Sequence, residues 1–298
     1  MESKIHGIEH SYFEIKRLIS AITSKYPFIN LTNIGKSAAG RDIPLLALGS
    51  TVDFTLFVSG EDPSCRITTL ILLNFIMELS EKILKGKEMC GINIRKAMFG
   101  RGIAVLPLLN PDGYEIASRG EIGSGHLAHR ISKLCGGDFS KWRSNLRGVE
   151  IPRNFFPGFE ERKNEERLCH ITGPRYEGFS GYRPESEPES TALADFCRSK
   201  NIRQLINLTA HGQTVMYSGD PIVPPRSVKM AEVMAAVSSF TVTPPLTNRD
   251  ITISDWFTYE FGAPGITVKI GAGSVPPPKD LDFWYARTRE LLTLSCLF

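Results

Sequence analysis

The apolar run Phe54-Thr55-Leu56-Phe57-Val58-Ser59-Gly60 passes through Glu61 into Asp62-Pro63-Ser64-Cys65, and a long apolar stripe at helical spacing follows at once. A strand that feeds directly into a helix is the repeating unit of an open α/β sheet, and such sheets open their sites at the strand ends. Residues 62–65 are therefore the first place to look for chemistry. Asp62 suits a helix N-cap and Pro63 the first helical position, and Leu72, Leu73, Ile76, Leu79 and Ile83 form the buried stripe. Gly86 suits the end of that helix.

The same alternation runs along the chain. Apolar spacing predicts a helix over 12–26 stopped by Pro27, then two strands over 31–34 and 43–48 joined by a glycine-containing turn. Residues 102–109 read as a buried central strand that stops at Asn110-Pro111-Asp112-Gly113. Residues 114–187 are irregular and rich in Gly, Arg and Glu, which predicts long functional loops. Beyond them come a helix near 190–199, a strand at 204–209, a helix at 227–238, a strand at 265–270 and a C-terminal helix from about residue 280. The pattern is that of one α/β domain over residues 1–298, with helices on both faces of its sheet.

Composition excludes several function classes. A formal charge of +3 on 298 residues carries no signature of nucleic-acid binding. No apolar run approaches the roughly 18 residues of a membrane span, and the N-terminal Met1-Glu2-Ser3-Lys4 lacks the apolar core of a signal peptide. The six cysteines, Cys65, Cys90, Cys135, Cys169, Cys197 and Cys296, show no paired spacing, so reduced thiols and a cytoplasmic location are expected. The oligomeric state is not legible from the chain.

Several motifs in fixed order resemble the zinc carboxypeptidase family, the carboxypeptidase A-like metallopeptidases that include bacterial γ-glutamyl-diaminopimelate peptidases. They are Ile34-Gly35-Lys36-Ser37 with Gly40-Arg41, the segment ending Asn110-Pro111-Asp112-Gly113, Trp142-Arg143 with Gly148-Val149-Glu150-Ile151-Pro152-Arg153-Asn154-Phe155, and Ser186-Glu187-Pro188-Glu189. Further on, His211 follows a strand, and Asp255-Trp256 precedes Thr267-Val268-Lys269-Ile270-Gly271. The resemblance covers nearly the whole chain and implies a single α/β domain whose mixed, twisted sheet has about eight strands between helices.

The resemblance also implies a zinc site, and here the chain departs from the pattern. The family's His-x-x-Glu pair reads Asp62-x-x-Cys65, leaving His211 as the one matching ligand position. Carboxylate, thiolate and imidazole all bind zinc, but Asp and Cys are shorter than the residues they replace. Asp62 reads equally as a helix cap, Cys65 as a small buried helix residue and His211 as a hydrogen-bonded histidine at a strand end. The family's water-activating glutamate is replaced by Lys269. A protonated lysine is no base, and at about 5 Å and an effective dielectric of about 20 it opposes a dication by roughly 7 kcal/mol. Zinc is thus expected to be weakly held or absent. Lys269 has two readings: its ammonium fills the metal position between Asp62 and His211, or its chain reaches out to solvent.

By the same resemblance Arg143 is the residue that stabilises a developing oxyanion, and Arg153 with Asn154 the grip on a substrate's terminal carboxylate. Pro152 stands where that grip normally has an asparagine, and Ser254 where side-chain preference is set. The family's loop tyrosine has no clear counterpart, with Thr247 near its place. His126 and His129 could form a metal pair on a helical turn or lie on a solvated loop, and the charged run 160–167 is expected to be an exposed face.

The reading that follows is a catalytically impaired carboxypeptidase-like binder of a peptide or peptidoglycan stem peptide. Its alternatives are a metallocarboxypeptidase with an Asp62, Cys65, His211 zinc site, a hydrolase using Cys65 as nucleophile and His211 as base, and a purely structural domain.

Overall fold

Leu56 and Val58 point to one side of the strand over 54–59 and Phe57 to the other, and all three are fully buried. A strand buried on both faces belongs at the centre of a helix-covered sheet. The computed structural model of the chain has this arrangement, and it describes residues 5, 7, 10–50, 52–219, 222–244 and 252–298.

In chain order, α1 (Tyr12–Lys25) leads into the hairpin β1 (Asn30–Lys36) and β2 (Asp42–Gly49), then β3 (Phe54–Ser59) and α2 (Arg66–Lys85). A two-stranded ribbon, β4 (Glu88–Met89) and β5 (Ile92–Asn93), and the short α3 (Ile94–Ala97) precede β6 (Gly102–Leu106). The middle carries α4 (Pro111–Arg119), α5 (Glu121–Ser124), α6 (Ala128–Cys135), α7 (Phe159–Leu168) and α8 (Pro188–Arg198). The last part holds β7 (Ile202–Ala210), β8 (Thr214–Tyr217), α9 (Ser227–Ser238), β9 (Thr241–Thr243), α10 (Ile253–Phe261), β10 (Gly265–Ile270) and α11 (Leu281–Ser295).

The main sheet has eight strands in the order β1-β2-β6-β3-β7-β10-β8-β9. It is mixed: β6, β3, β7 and β10 run parallel, while β1, β2 and β8 pair antiparallel. One face packs against α1, α2, α9 and α11, and the other against α8, α10 and the turn at Ile151–Arg153. Because the four central strands are parallel, their C-terminal ends open along one edge, where Asp62, Asn110 and His211 follow. Gly60 sits there at φ 67°, and a Cβ on it would lie 2.9 Å from the Leu108 Cα, so the exits of β3 and β6 come into close contact.

Three expectations need correction. Helix α2 begins at Arg66 with Cys65 as its N-cap, so Asp62 caps the turn before the helix and Pro63 lies outside it. The segment 114–187 is not all loop, because it carries α5, α6 and α7 and most of α4, which starts at the Asn110-Pro111 motif. The run 160–167 is not a solvated face: α7 buries Arg162 and Glu166. Its buried side is ionic, which hides it from apolar periodicity. Arg162 donates to the carbonyls of Arg153 and Phe155, and Glu166 accepts from Lys163 and Ser180. None of the six cysteines is in a disulfide, and no described helix is long and apolar enough to cross a membrane.

Behind the site, Glu189 is fully buried and accepts from Asn145 Nδ2 at 3.0 Å and the Ala38 amide at 3.1 Å. Burial pushes its carboxyl up from the ordinary 4.5 to about 7. The folded state thus holds a proton that the unfolded state has released between those values. Stability from this group is fully present below pH 4.5 and is lost as pH rises through 7. Urea unfolding between pH 5 and 8 is expected to show a fall to which this group adds roughly 3 kcal/mol at most, and Glu189→Gln to lessen the fall without abolishing it.

Candidate functional site

The crevice is assembled from three strands and one loop. Asp62 follows β3, Arg143 comes from the loop before the Ile151–Arg153 turn, His211 follows β7 and Lys269 lies on β10 beside Thr209. Along β10, Ile266, Val268 and Ile270 face the α2 side, so alternation turns Thr267 and Lys269 to the opposite face. The same rule places Asn207 and Thr209 of β7 beside them. That face is apolar at its base and polar toward the crevice.

Asp62 is almost fully buried and both its oxygens are engaged. Oδ2 accepts from Arg143 Nε at 3.1 Å and Nη2 at 2.8 Å, and Oδ1 from the Ser64 amide at 2.9 Å and hydroxyl at 2.7 Å. The Arg143 backbone is tied to the Tyr176 carbonyl, and its guanidinium also lies 3.8 Å from Glu150 and 4.0 Å from Glu177. Lys269 makes no ion pair with Asp62 or any other carboxylate among the described residues. The expected Lys269 bridge between Asp62 and His211 is thus replaced by a bond from Arg143. The reason is the geometry of the guanidinium, whose planar fork offers two donors to Asp62 where an ammonium offers a point charge.

The other two family ligand positions are no better suited to a metal. Cys65 is buried in the α2-side core, and its thiol is pushed well above the ordinary range by burial first and then by the charge of Asp62. His211 is exposed and holds a left-handed backbone at φ 70°. Its imidazole is held below the usual histidine range by partial burial and then by the Arg143 charge, with Lys269 acting in the same direction. Lys269 is its neighbour: a Cβ on Gly212 would lie 3.3 Å from the Lys269 Cβ. Among the described residues no three His, Cys, Asp or Glu side chains are placed to hold a metal ion, the pair His126 and His129 included. A committed carboxylate, a buried neutral thiol and an imidazole beside two cations do not form a zinc donor set.

Arg153 and Asn154 are the residues expected from the resemblance to grip a terminal carboxylate. Arg153 Nη2 donates to Glu165 Oε2 at 3.0 Å, while its Nε is buried without a partner. Asn154 is fully buried, its Nδ2 bonded to the Ser180 and Arg183 carbonyls and the Ser186 hydroxyl, its Oδ1 to the Glu187 amide and Ser190. It therefore positions the loop around Arg153 rather than facing the crevice. Ser254 is buried with its hydroxyl 3.0 Å from that of Thr267, which lies equally close to Thr252, the N-cap of α10. Thr247 lies outside the described residues.

Sequence reasoning passed over Glu61. It is buried at the crevice, accepts from Asn207 Nδ2 at 3.2 Å, and has its carboxyl raised to about 7 by burial, with the charge of Asp62 adding to the rise. The available signal was an acidic residue closing an apolar strand run. Arg162, which holds the Arg153 carbonyl from below, carried no signal because α7 has no apolar stripe.

A family model described as zinc carboxypeptidase matches residues 15–241. The γ-D-glutamyl-L-diamino acid endopeptidase 1 of Lysinibacillus sphaericus is 26% identical over 271 residues, covering 90% of this chain and 67% of that protein. Among solved structures, bovine thrombin-activatable fibrinolysis inhibitor in complex with tick carboxypeptidase inhibitor superposes with a TM-score of 0.72 at 17% identity. That match covers 98% of this chain and 96% of the other. The murein-tripeptide amidase MpaA of Escherichia coli O157 gives 0.52 at 14% identity, over 88% of this chain and 91% of that one. The fold, the order of its motifs and a family match over most of its length agree: the chain belongs to the zinc carboxypeptidase family.

Proposed function

We propose that this protein is a catalytically impaired carboxypeptidase-like binder that takes the C-terminus of a peptide or peptidoglycan stem peptide in the crevice. The bond between Arg143 and Asp62 carries this reading. In the family mechanism a metal polarises the carbonyl and activates water, and a carboxylate takes the proton. Here the first metal-ligand position is spent on Arg143, and the proton acceptor is replaced by Lys269. The arginine expected to meet the oxyanion is committed to an internal carboxylate as well.

The residues left fit binding better than turnover. Lys269 and Arg153 are two cations available to a peptide carboxylate, and Arg153 is occupied by Glu165 at 3.0 Å in the free protein. A ligand carboxylate would take the place of Glu165 on the same fork. The names of the relatives, a γ-D-glutamyl-L-diamino acid endopeptidase and a murein-tripeptide amidase, support a stem-peptide ligand. A Cys65 nucleophile is disfavoured by the burial that keeps its thiol protonated.

Two measurements test this. Elemental analysis of purified protein is expected to find well under one zinc per chain, and peptide assays to find no release of C-terminal residues with or without added zinc. Stoichiometric zinc with chelator-sensitive cleavage would sink the proposal. The triple change Asp62→His, Cys65→Glu and Lys269→Glu is expected to tighten zinc binding by at least about ten-fold, since it supplies ligands of the right reach and removes an opposing charge.

Binding of short peptides ending in a diamino acid, read by calorimetry, is expected to require the free carboxylate. Arg153→Ala should weaken it by about ten-fold or more, and Glu165→Ala should tighten it a few-fold by removing the internal competitor. Equal binding of the C-terminally amidated peptide would argue against the crevice reading.

A further inference from the structure

We propose that a second pocket, lined by neither Arg153 nor Asn154, binds a small polyanion carrying two or more carboxylate or phosphate groups. The pocket is walled by the turn leading into α6, the 146–149 loop and the 174–187 segment, with a volume of about 670 Å³. That volume lies inside the roughly 300–1,000 Å³ of small-ligand sites. None of Asp62, His211, Lys269, Arg153 or Ser254 lines it, so it is separate from the crevice and goes beyond the proposed function.

The charge balance at its wall identifies the ligand class. Arg130, Arg147 and Arg183 all line the pocket, and Glu187 is the one carboxylate among the lining residues. Glu187 is buried and already accepts from Asn145 Nδ2 at 2.9 Å and the Ser186 hydroxyl at 3.0 Å. Arg147 stands 3.8 Å from it, too far for a good hydrogen bond, and among the described residues Arg130 and Arg183 have no ion-pair partner. Three planar forks thus line a pocket whose one carboxylate other donors have claimed. Arginine forks match carboxylate and phosphate geometry, and three of them from three chain segments fit a ligand with more than one anionic group.

The remaining wall is apolar. Leu127, Leu146 and Val149 lie between the arginines, and Tyr182, three-quarters exposed, is fixed edge-on against Phe179 with ring centroids 5.2 Å apart. An exposed aromatic ring held in place beside unpaired guanidinium groups offers a stacking surface for a ligand body.

Calorimetry with the full chain at low salt tests the proposal, using citrate for the carboxylate source and pyrophosphate for the phosphate source. The tighter of the two assigns the anion. Arg130→Ala with Arg183→Ala is expected to weaken the better ligand by at least about ten-fold. Removal of two equally exposed charges elsewhere, Lys200→Ala with Lys279→Ala, should leave it unchanged. If the alanine pair does not fold by circular dichroism, the pair Arg130→Lys with Arg183→Lys keeps the charge, loses the fork, and should still weaken binding a few-fold. Equal loss in the control pair, unchanged binding in the arginine pair, or no binding of either anion at millimolar concentration would overturn the proposal.

Discussion

The structure depends on burying four parallel strands, β6, β3, β7 and β10, between two helical layers. Parallel strands have to be covered on both faces, and their crossovers carry the helices that do so. Once they are packed, their C-terminal ends are forced onto one edge. Everything proposed for the crevice follows from that constraint, because it brings Asp62, His211 and Lys269 together from positions far apart in the chain.

At that edge Asp62 is a buried carboxylate in need of a partner. Arg143 supplies that partner with two bonds, while Glu150 and Glu177 stand around the guanidinium. Lys269 brings a second cation to the same edge and makes no ion pair with a carboxylate among the described residues. Arg153 shows a parallel arrangement, its fork resting on Glu165.

Much of this was legible along the chain. The strand runs at 54–59 and 265–270 and the helix at 227–238 coincide with the observed elements, since each carries apolar residues at the spacing of its element along most of its length. The eight-stranded mixed sheet agrees with the resemblance. Elements lacking that signal were not legible: β8 and β9 are short, and α7 packs through Arg162 and Glu166 with Phe159 its one buried apolar side chain. The end of α2 at Gly86 was readable because a left-handed C-cap favours glycine, whereas its start was misplaced by three residues. Asp62 has the chemistry of a helix cap but caps the preceding turn through Ser64, and local sequence does not distinguish the two.

By itself the sequence determined the fold family, through motif order and apolar periodicity, and it set the expectation that the metal-ligand and general-base positions carry other residues here, because that is a question of which residue stands where. Tertiary structure decided which side chain meets Asp62. Arg143 and Asp62 are 81 residues apart, and only the folded chain brings the two donors of that guanidinium onto the Asp62 carboxylate. It also decided that Asn154 positions a loop and that three arginines from separate segments share one pocket. Such pairings depend on distances across the fold, and no local pattern encodes them.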